Sequence, residues 1–325
     1  MLVTTDPMKA AAAIAAGHLA AVPTETVYGL GALASDARAV ARIYAVKGRP
    51  ADHPLIVHVA DAVAFGSWGF RIPTYAHALA ATFWPGPMTL VVPRSDRAKD
   101  FVTGGQDSVA IRVPAHIDAR SLLIELCKIT KDPAVGIAAP SANRFGRVSP
   151  TTAAHVLDEI GGLLRGGDVV LDGGDCTVGV ESTIIDCTGP NPRMLRPGAI
   201  TTQDVEAATG LKVTHDSTVR ASGTLTSHYS PTACVQLLAA ADIAAEVAGA
   251  GQGVIGLLAL AEVETPTGVV RLAVPRNVEE YARVLYAALR EADALQLEAV
   301  LAVPPAADGV GVAVIDRLIR AAAGA

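Results

Sequence analysis

Short apolar runs alternate with amphipathic stretches along the whole chain. Runs of four to eight residues bounded by Gly, Pro or Asp predict strands, and apolar residues three and four apart predict helices. Met8 to Ala16 reads as a short helix stopped at Gly17, and His18 to Val22 as a small strand. A loop follows from Pro23 to Gly31. Ser35 is the expected N-cap of a helix in which Val40, Ile43 and Val46 lie near one face, ending at Lys47-Gly48. Pro54 to Ala60 predicts a strand, Asp61 caps the next helix, and Pro73 opens a helix running to Trp84. MTLVVP is a buried strand, Phe101 to Asp107 a Gly-rich loop, and SVAIRVP, Ser108 to Pro114, an alternating strand. Ser121 to Lys128 is helical. The strand Val135 to Ala139 empties into a polar turn from Pro140 to Pro150, and Thr151 caps the next helix. Strands at Val169–172, 180–186 and 193–196 and a helix at 202–209, stopped by Gly210, complete this part.

From Leu211 to Thr232 the periodicity fades into Thr, Ser and Gly, as a linker would. Clean alternation then resumes, with strands at 234–238, 254–258, 269–274 and 300–303 and helices at 243–247, 278–292 and 310–323. That order predicts a small α/β unit on a parallel sheet. The expected organisation is a first domain over 1–210, a linker over 211–232 and a second α/β domain over 233–325.

A chain of 325 residues, 51% hydrophobic, supports two domains, with cores of small aliphatic side chains because aromatics make up only 4%. The net charge of −6 argues against a generally basic nucleic-acid-binding surface, though not against a local basic pocket. Four scattered cysteines without a CxxC pair read as reduced core thiols rather than a disulfide or metal framework. The Ala-rich stretch from Ala10 lacks the features of a signal peptide, and no run reaches the roughly 18 apolar residues of a membrane span, so a cytoplasmic location is expected.

Chemistry is densest from Val22 to Val59. Pro23-Thr24-Glu25-Thr26 offers hydroxyls and a carboxylate, Gly29 and Gly31 allow close backbone approach to a ligand, and Lys47, Arg49, His53 and His58 follow. A strand–loop–helix–loop–strand path brings the two clusters to one end of a sheet, as in a βαβ unit. Lys47 and Arg49 taken alone suit a helix C-terminus in solvent. The apolar strand directly after them favours a pocket. Arg112, in a strand of Val, Ala and Ile, either faces solvent or reaches an anion; alternation leaves both open. Ser141-Ala142-Asn143 and Ser149-Pro150-Thr151 are equally at home as turn and helix-start chemistry. His228-Tyr229 is compatible with simple packing of two domains. No GxxxxGK[ST], HExxH or GxSxG occurs, and Gly29-Leu30-Gly31 lacks the third glycine of a dinucleotide fingerprint, so a conventional kinase, dehydrogenase, zinc hydrolase or serine hydrolase is unsupported.

Taken together, PTETVYGLG, KGRPADHPLIVH, WPGPMTLV, SVAIRVPAH, APSANRFGRVSPT, LDGG, GVESTIID, LRPG and the ending GVGVAVIDRLIRAA resemble the threonylcarbamoyl-AMP synthases of the YrdC-like family, in their long two-domain form. The resemblance implies an α/β fold, a YrdC-like twisted mixed sheet with a concave, positively lined cavity, followed by a smaller Rossmann-like α/β domain. It implies joining of L-threonine, bicarbonate and ATP into L-threonylcarbamoyl-AMP with release of pyrophosphate, for threonylcarbamoyladenosine in tRNA. It places the family's catalytic tetrad on Lys47, Arg49, Ser141 and Asn143. ATP contacts fall on Arg49, His53, Ser108, Ser141, Ser149, Arg196 and His228. L-threonine contacts fall on Thr26, His58, Arg112, Ala139 and Ser182. Mg²⁺ is expected with ATP, with no protein ligand named. The product is expected to pass to a tRNA threonylcarbamoyl-transferase complex, with weak tRNA binding allowed. Two departures stand out: His53 replaces a frequent asparagine, and Ser222-Gly223-Thr224-Leu225 replaces a usual Pro-Gly-Met. The rival readings are an RNA-binding module of the same fold and a carbamoyl-adenylate enzyme acting on another acceptor.

Overall fold

The computed structural model describes residues 1–223, 229–249 and 254–324. They fall into two compact units, the first of Met1–Phe145, Pro150–Cys176 and Glu181–Thr224, the second of Gly146–Ser149, Thr177–Val180 and Leu225–Ala325.

The first unit is built on one mixed sheet. Its strands in chain order are β1 (Leu2–Thr4), β2 (Ala20–Val22), β3 (Gly29–Leu33), β4 (Ile56–Val59), β5 (Met88–Pro93), β6 (Ser108–Arg112), β7 (Gly136–Ala138), β8 (Val169–Leu171), β9 (Thr183–Asp186) and β10 (Arg193–Arg196). Across the sheet they run β1-β8-β2-β3-β7-β4-β6-β5-β9-β10. Most central strands are buried on both faces, which explains why the apolar runs are continuous rather than alternating.

Several sequence expectations shift. The stretch Pro23 to Gly31 is not all loop: Gly29–Leu33 forms β3, antiparallel to β2 with Val22 opposite Gly29 and Ala20 opposite Gly31. A Cβ on Gly29 would stand 3.3 Å from Ala139 Cβ, and one on Gly31 3.3 Å from Ala20 O. The missing side chains thus make room for neighbouring strands, not only for a ligand. The crossover unit therefore starts one strand later, as β3–helix–β4, and β7 lies between its two strands, antiparallel to both. The crossover helix, Ala37–Lys47, is capped by Asp36 rather than Ser35, because the Asp36 carboxylate accepts from the N–H groups of Arg38 and Ala39. Its buried stripe is Ala39, Val40, Ile43, Tyr44 and Lys47. Lys47 occupies the last position of the inward face, which is why its ammonium is buried instead of solvated. Gly48, at φ 62, ends the helix in the left-handed conformation that glycine adopts without strain. Within the expected loop 101–107, Asp100–Thr103 closes one helical turn. Thr152, not Thr151, caps the helix Ala153–Ile160 by accepting from His155 N.

Asp168 fastens the edge of this sheet. Its carboxylate accepts from Leu19 N and Arg165 N and takes both terminal nitrogens of Arg42 at 3.0 and 2.6 Å. Burial pushes its carboxyl up, but these bonds outweigh burial and hold it below the usual range. Asp168→Ala is expected to lower unfolding free energy by about 3 kcal/mol, since buried backbone donors lose their acceptor. A folded value below the unfolded value of about 3.9 stabilises the protein above that pH. The contribution disappears as the pH falls through the folded value. Urea unfolding of wild type and variant at pH 7 and pH 3 checks both, with the difference shrinking in acid.

The described part of the expected linker, 211–223, forms neither helix nor named strand, yet it is tied down by side chains. Ser217 Oγ donates to Asp186 Oδ2 at 2.6 Å, and Arg220 N donates to Gln106 Oε1 at 2.8 Å while Gln106 Nε2 returns a bond to Arg220 O.

The second unit carries four parallel strands, β11 (Cys234–Leu237), β12 (Ile255–Leu258), β13 (Val270–Ala273) and β14 (Ala299–Ala302), in the order β11-β14-β12-β13. Tyr281 is buried and its hydroxyl donates toward Leu258 O and Val303 O, at the carboxyl ends of β12 and β14. Open α/β sheets bind ligands in the crevice at those ends. Here a tyrosine lies against it. Tyr229 stacks on Tyr286 at 5.6 Å and lies under the Arg317 guanidinium at 5.3 Å. No helix among the described residues is long and apolar enough to cross a membrane.

Candidate active site

Three neighbouring strands and the turns that leave them set the first unit's polar side chains. In β4 and β6, His58 stands directly opposite Arg112. Arg112 is buried, so it does not face solvent. Its Nη1 donates to Thr26 Oγ1 at 2.9 Å, its Nη2 to Glu25 Oε1 at 2.6 Å, and its Nε to Gly86 O at 3.2 Å. His58 is pushed down to about 3 by burial first and by the Arg112 cation second, and its Nδ1 has no hydrogen-bond partner. A neutral imidazole with one unmet nitrogen is suited to a neutral hydrogen bond with a ligand rather than to ion pairing. A folded value below the ordinary one means His58 stabilises the fold fully above about 6.5, and this is lost as the pH falls toward 3. Its ring resonances are expected to show no titration between about pH 5 and 8, where ordinary histidines titrate; an NMR titration of the histidine ring protons reads this.

The turn after β7 meets the end of the crossover helix. Lys47 Nζ donates to Ser141 O at 2.6 Å and Asn143 O at 2.5 Å, which commits two of its three hydrogens. Burial, then the Arg49 cation, hold the Lys47 ammonium well below its usual value, while Glu159 and Glu181 pull the other way. A neighbouring anion favours the charged form. Phe145 N donates to Lys47 O, closing this loop onto the helix end. Ser141 bridges Gly29 in β3, so the turn is also held by the sheet. Ala139 N–H is already committed to Ile56 O, so any backbone contact to a ligand falls to its carbonyl.

A third group surrounds β9. Arg196 donates from Nη2 to Ser182 O and Oγ at 2.9 and 3.1 Å and from Nη1 to Ser222 O at 2.9 Å. Ser182 Oγ also shares a hydrogen bond with Thr89 Oγ1 at 2.8 Å. Arg49 Nη2 reaches Pro54 O at 2.9 Å and Ser222 Oγ at 3.1 Å. Ser222 therefore bridges two buried arginines. Beside it, Pro54, Ser108, Ile184, Ala221 and Ser222 leave a cavity of about 10 Å³, room for about one water, so the linker lies close over Ser108. His53 rests edge-on against Phe145 at 5.4 Å, and burial and Arg49 push its imidazole down.

Thr26, Lys47, Arg49, His53, His58, Ser108, Arg112, Ala139, Ser141, Asn143, Ser182 and Arg196 thus all belong to the first unit. Ser149 is buried in the second unit, its carbonyl accepting from Arg290, and His228 lies outside the described residues. Sequence reasoning did not single out Thr89 or Ser222 as site residues, and it passed over Glu25 and Glu181 after noting their carboxylates. Glu25 adjoins Thr26 in one short motif, a usable signal. Ser222 stood out only as a departure from the usual linker. Among the described residues the site gathers buried cations, hydroxyls and the imidazoles of His53 and His58, with no nucleophile paired to a base. Such a set of donors can bind and orient anions.

A family model described as Telomere recombination, Sua5/YciO/YrdC, matches residues 12–198. The chain belongs to the Sua5/YciO/YrdC family. A second model, described as Threonylcarbamoyl-AMP synthase, C-terminal domain, matches residues 200–323, so the family relationship spans both units. The Pyrococcus abyssi protein named threonylcarbamoyl-AMP synthase is 39% identical over 330 residues, covering 96% of this chain and 92% of that one. The Bacillus subtilis protein of the same name is 36% identical over 340 residues, covering 99% and 95%. The solved structure of Pyrococcus abyssi Sua5 complexed with L-threonine superposes with a TM-score of 0.87 at 36% identity, covering 100% of this chain and 98% of that one. The mixed sheet with a second, smaller parallel-sheet unit is thus the fold of the Sua5 branch.

Proposed function

We propose that this protein is an L-threonylcarbamoyladenylate synthase, joining L-threonine, bicarbonate and ATP and releasing pyrophosphate. One observation carries the reading: the buried cations Arg112, bonded to Thr26 and paired with His58, Lys47, bonded to the Ser141–Asn143 turn, and Arg49, joined through Ser222 to Arg196 and Ser182, belong to one unit of a family member whose relatives bear that name. The amine of threonine attacks the carbon of bicarbonate-derived CO₂, loses a proton and becomes a carbamate. A carbamate oxygen then attacks the α-phosphorus of ATP, and pyrophosphate leaves with the bonding electrons. No enzyme-bound covalent intermediate is needed. The protein's task is to hold like-charged reactants together and offset their repulsion.

Arg112 takes the threonine carboxylate, since a guanidinium fork matches two oxygens. His58 and Thr26 stand beside it for the amino acid's remaining polar groups. Lys47 and Arg49 meet the phosphates and the carbamate, and Arg196, Ser108, Ser141, Asn143 and Ser182 orient the nucleotide. Ser222 O and Oγ accept from Arg196 and Arg49, donors that also suit phosphate oxygens. Mg²⁺ comes with the triphosphate and neutralises part of its charge. Among the described residues no group of three or more His, Cys, Asp or Glu side chains is placed to bind a metal ion. The adenylate feeds a separate transferase acting on tRNA. Lys47, Arg49, Arg112 and Arg196 are buried instead of tracking across a surface, which disfavours an RNA-binding module.

Pyrophosphate release measured with ATP, L-threonine and bicarbonate tests this: omission of any one is expected to abolish it. Release independent of threonine would exclude the reading. Chelation of divalent cations is expected to lower the rate to background, with recovery on adding Mg²⁺; full activity in chelator would remove Mg²⁺ from the account.

A further inference from the structure

We infer that Glu25 is a positioning residue that aims Arg112 at the carboxylate of the amino-acid substrate, an inference that rests on the function proposed above. A buried carboxylate is unexpected where three anionic groups must assemble. Its placement explains it. A guanidinium has five N–H groups. In Arg112 three are committed, to Gly86 O, Thr26 Oγ1 and Glu25 Oε1. One hydrogen remains on each terminal nitrogen, the pair that a ligand carboxylate takes in a forked contact.

Glu25 is itself fixed at both ends. Oε1 accepts from Arg112 and Oε2 accepts from Ala115 N at 3.0 Å, just past the end of β6. The turn carrying it is locked by Thr24 Oγ1, which accepts from Thr26 N and Val27 N and donates to Val27 O. The carboxylate thus spans from the strand bearing Arg112 to the guanidinium, and it determines which N–H groups stay open. Simple neutralisation of a buried cation would need contact with Arg112 only, not the second tie to Ala115 N. The pairing also moderates the charge presented. A guanidinium beside a carboxylate suits a zwitterionic amino acid better than a bare anion.

Substitution separates the roles. In Glu25→Gln one end of the side chain becomes a donor, so it cannot accept from both Arg112 and Ala115 N. In Glu25→Asp the chain is one methylene short of spanning both. Full-length wild type, Glu25→Gln and Glu25→Asp are assayed for pyrophosphate release with L-threonine and ATP varied in turn. Binding of L-threonine and of L-threoninamide, which lacks the carboxylate, is compared by calorimetry. Both variants are expected to raise the threonine KM about tenfold or more, the cost of one charged hydrogen-bond contact, with the ATP KM within about twofold. The preference for threonine over threoninamide shrinks alongside. An unchanged threonine KM and preference, or equal rises in both KM values with the preference intact, overturns the positioning role. If one variant does not fold, the other carries the comparison. Wild type that fails to bind L-threonine overturns the proposed function, and the inference with it. Wild type that binds while only Arg112 variants respond overturns the inference alone.

Discussion

Lys47→Ala is expected to lower the turnover of pyrophosphate release about a hundredfold at saturating substrates, the usual cost of removing one preorganised electrostatic donor. The structure supplies two reasons for so large an effect. The ammonium is fully buried with one hydrogen left over, so a phosphate or carbamate oxygen meets it in a water-poor setting. It also ties Ser141 O and Asn143 O to the helix end, so its loss frees the turn that carries two further site residues. Arg49→Ala should match it within about tenfold, because Arg49 bridges Pro54 and Ser222 beside the same helix end. Steady-state turnover with all three substrates in excess decides the matter. Turnover within about twofold of wild type in both variants would remove these cations from the chemistry.

Arg112→Ala is expected to act twice. The threonine KM rises about a hundredfold, as a forked carboxylate contact is lost. Stability falls by about 3 kcal/mol, because Glu25 stays buried without its cation. The two effects come apart in the double variant Arg112→Ala/Glu25→Ala. Removing the stranded carboxylate recovers part of the lost stability, while threonine affinity stays low. Chemical denaturation and threonine titration on the three variants measure both quantities. A double variant less stable than Arg112→Ala alone would show that Glu25 contributes through something other than this pair.

Much of the first unit was legible because strands buried on both faces appear as apolar runs, as in PLIVHVA and MTLVVP, and SVAIRVP showed its strand by alternation. Lys47 was legible as a pocket cation from the apolar strand that follows it, and its place on the inward face of the helix emerged with the fold. What escaped depends on partners distant in sequence. Leu2–Thr4 is a strand only because it pairs with Val169–Leu171. Gly29 and Gly31 carry a turn composition, yet they lie in a strand because adjacent chains press where a Cβ would be. Ser35 and Asp36 are both good caps, and local sequence does not rank them. The anchoring of 211–223 rests on single side chains such as Ser217, Arg220 and Ser222, which leave no periodic trace. The open question over Arg112 was closed by burial alone, and Glu25 gained a role only once the arginine beside it was placed.

The most direct measurement follows ¹³C from labelled bicarbonate during incubation with ATP and L-threonine, with the adenylated product read by mass spectrometry. The account predicts a threonine- and AMP-containing species carrying one labelled carbon, formed mole for mole with pyrophosphate. Nucleotide turnover that yields ADP, or AMP with no labelled adenylate in any amount, would contradict it.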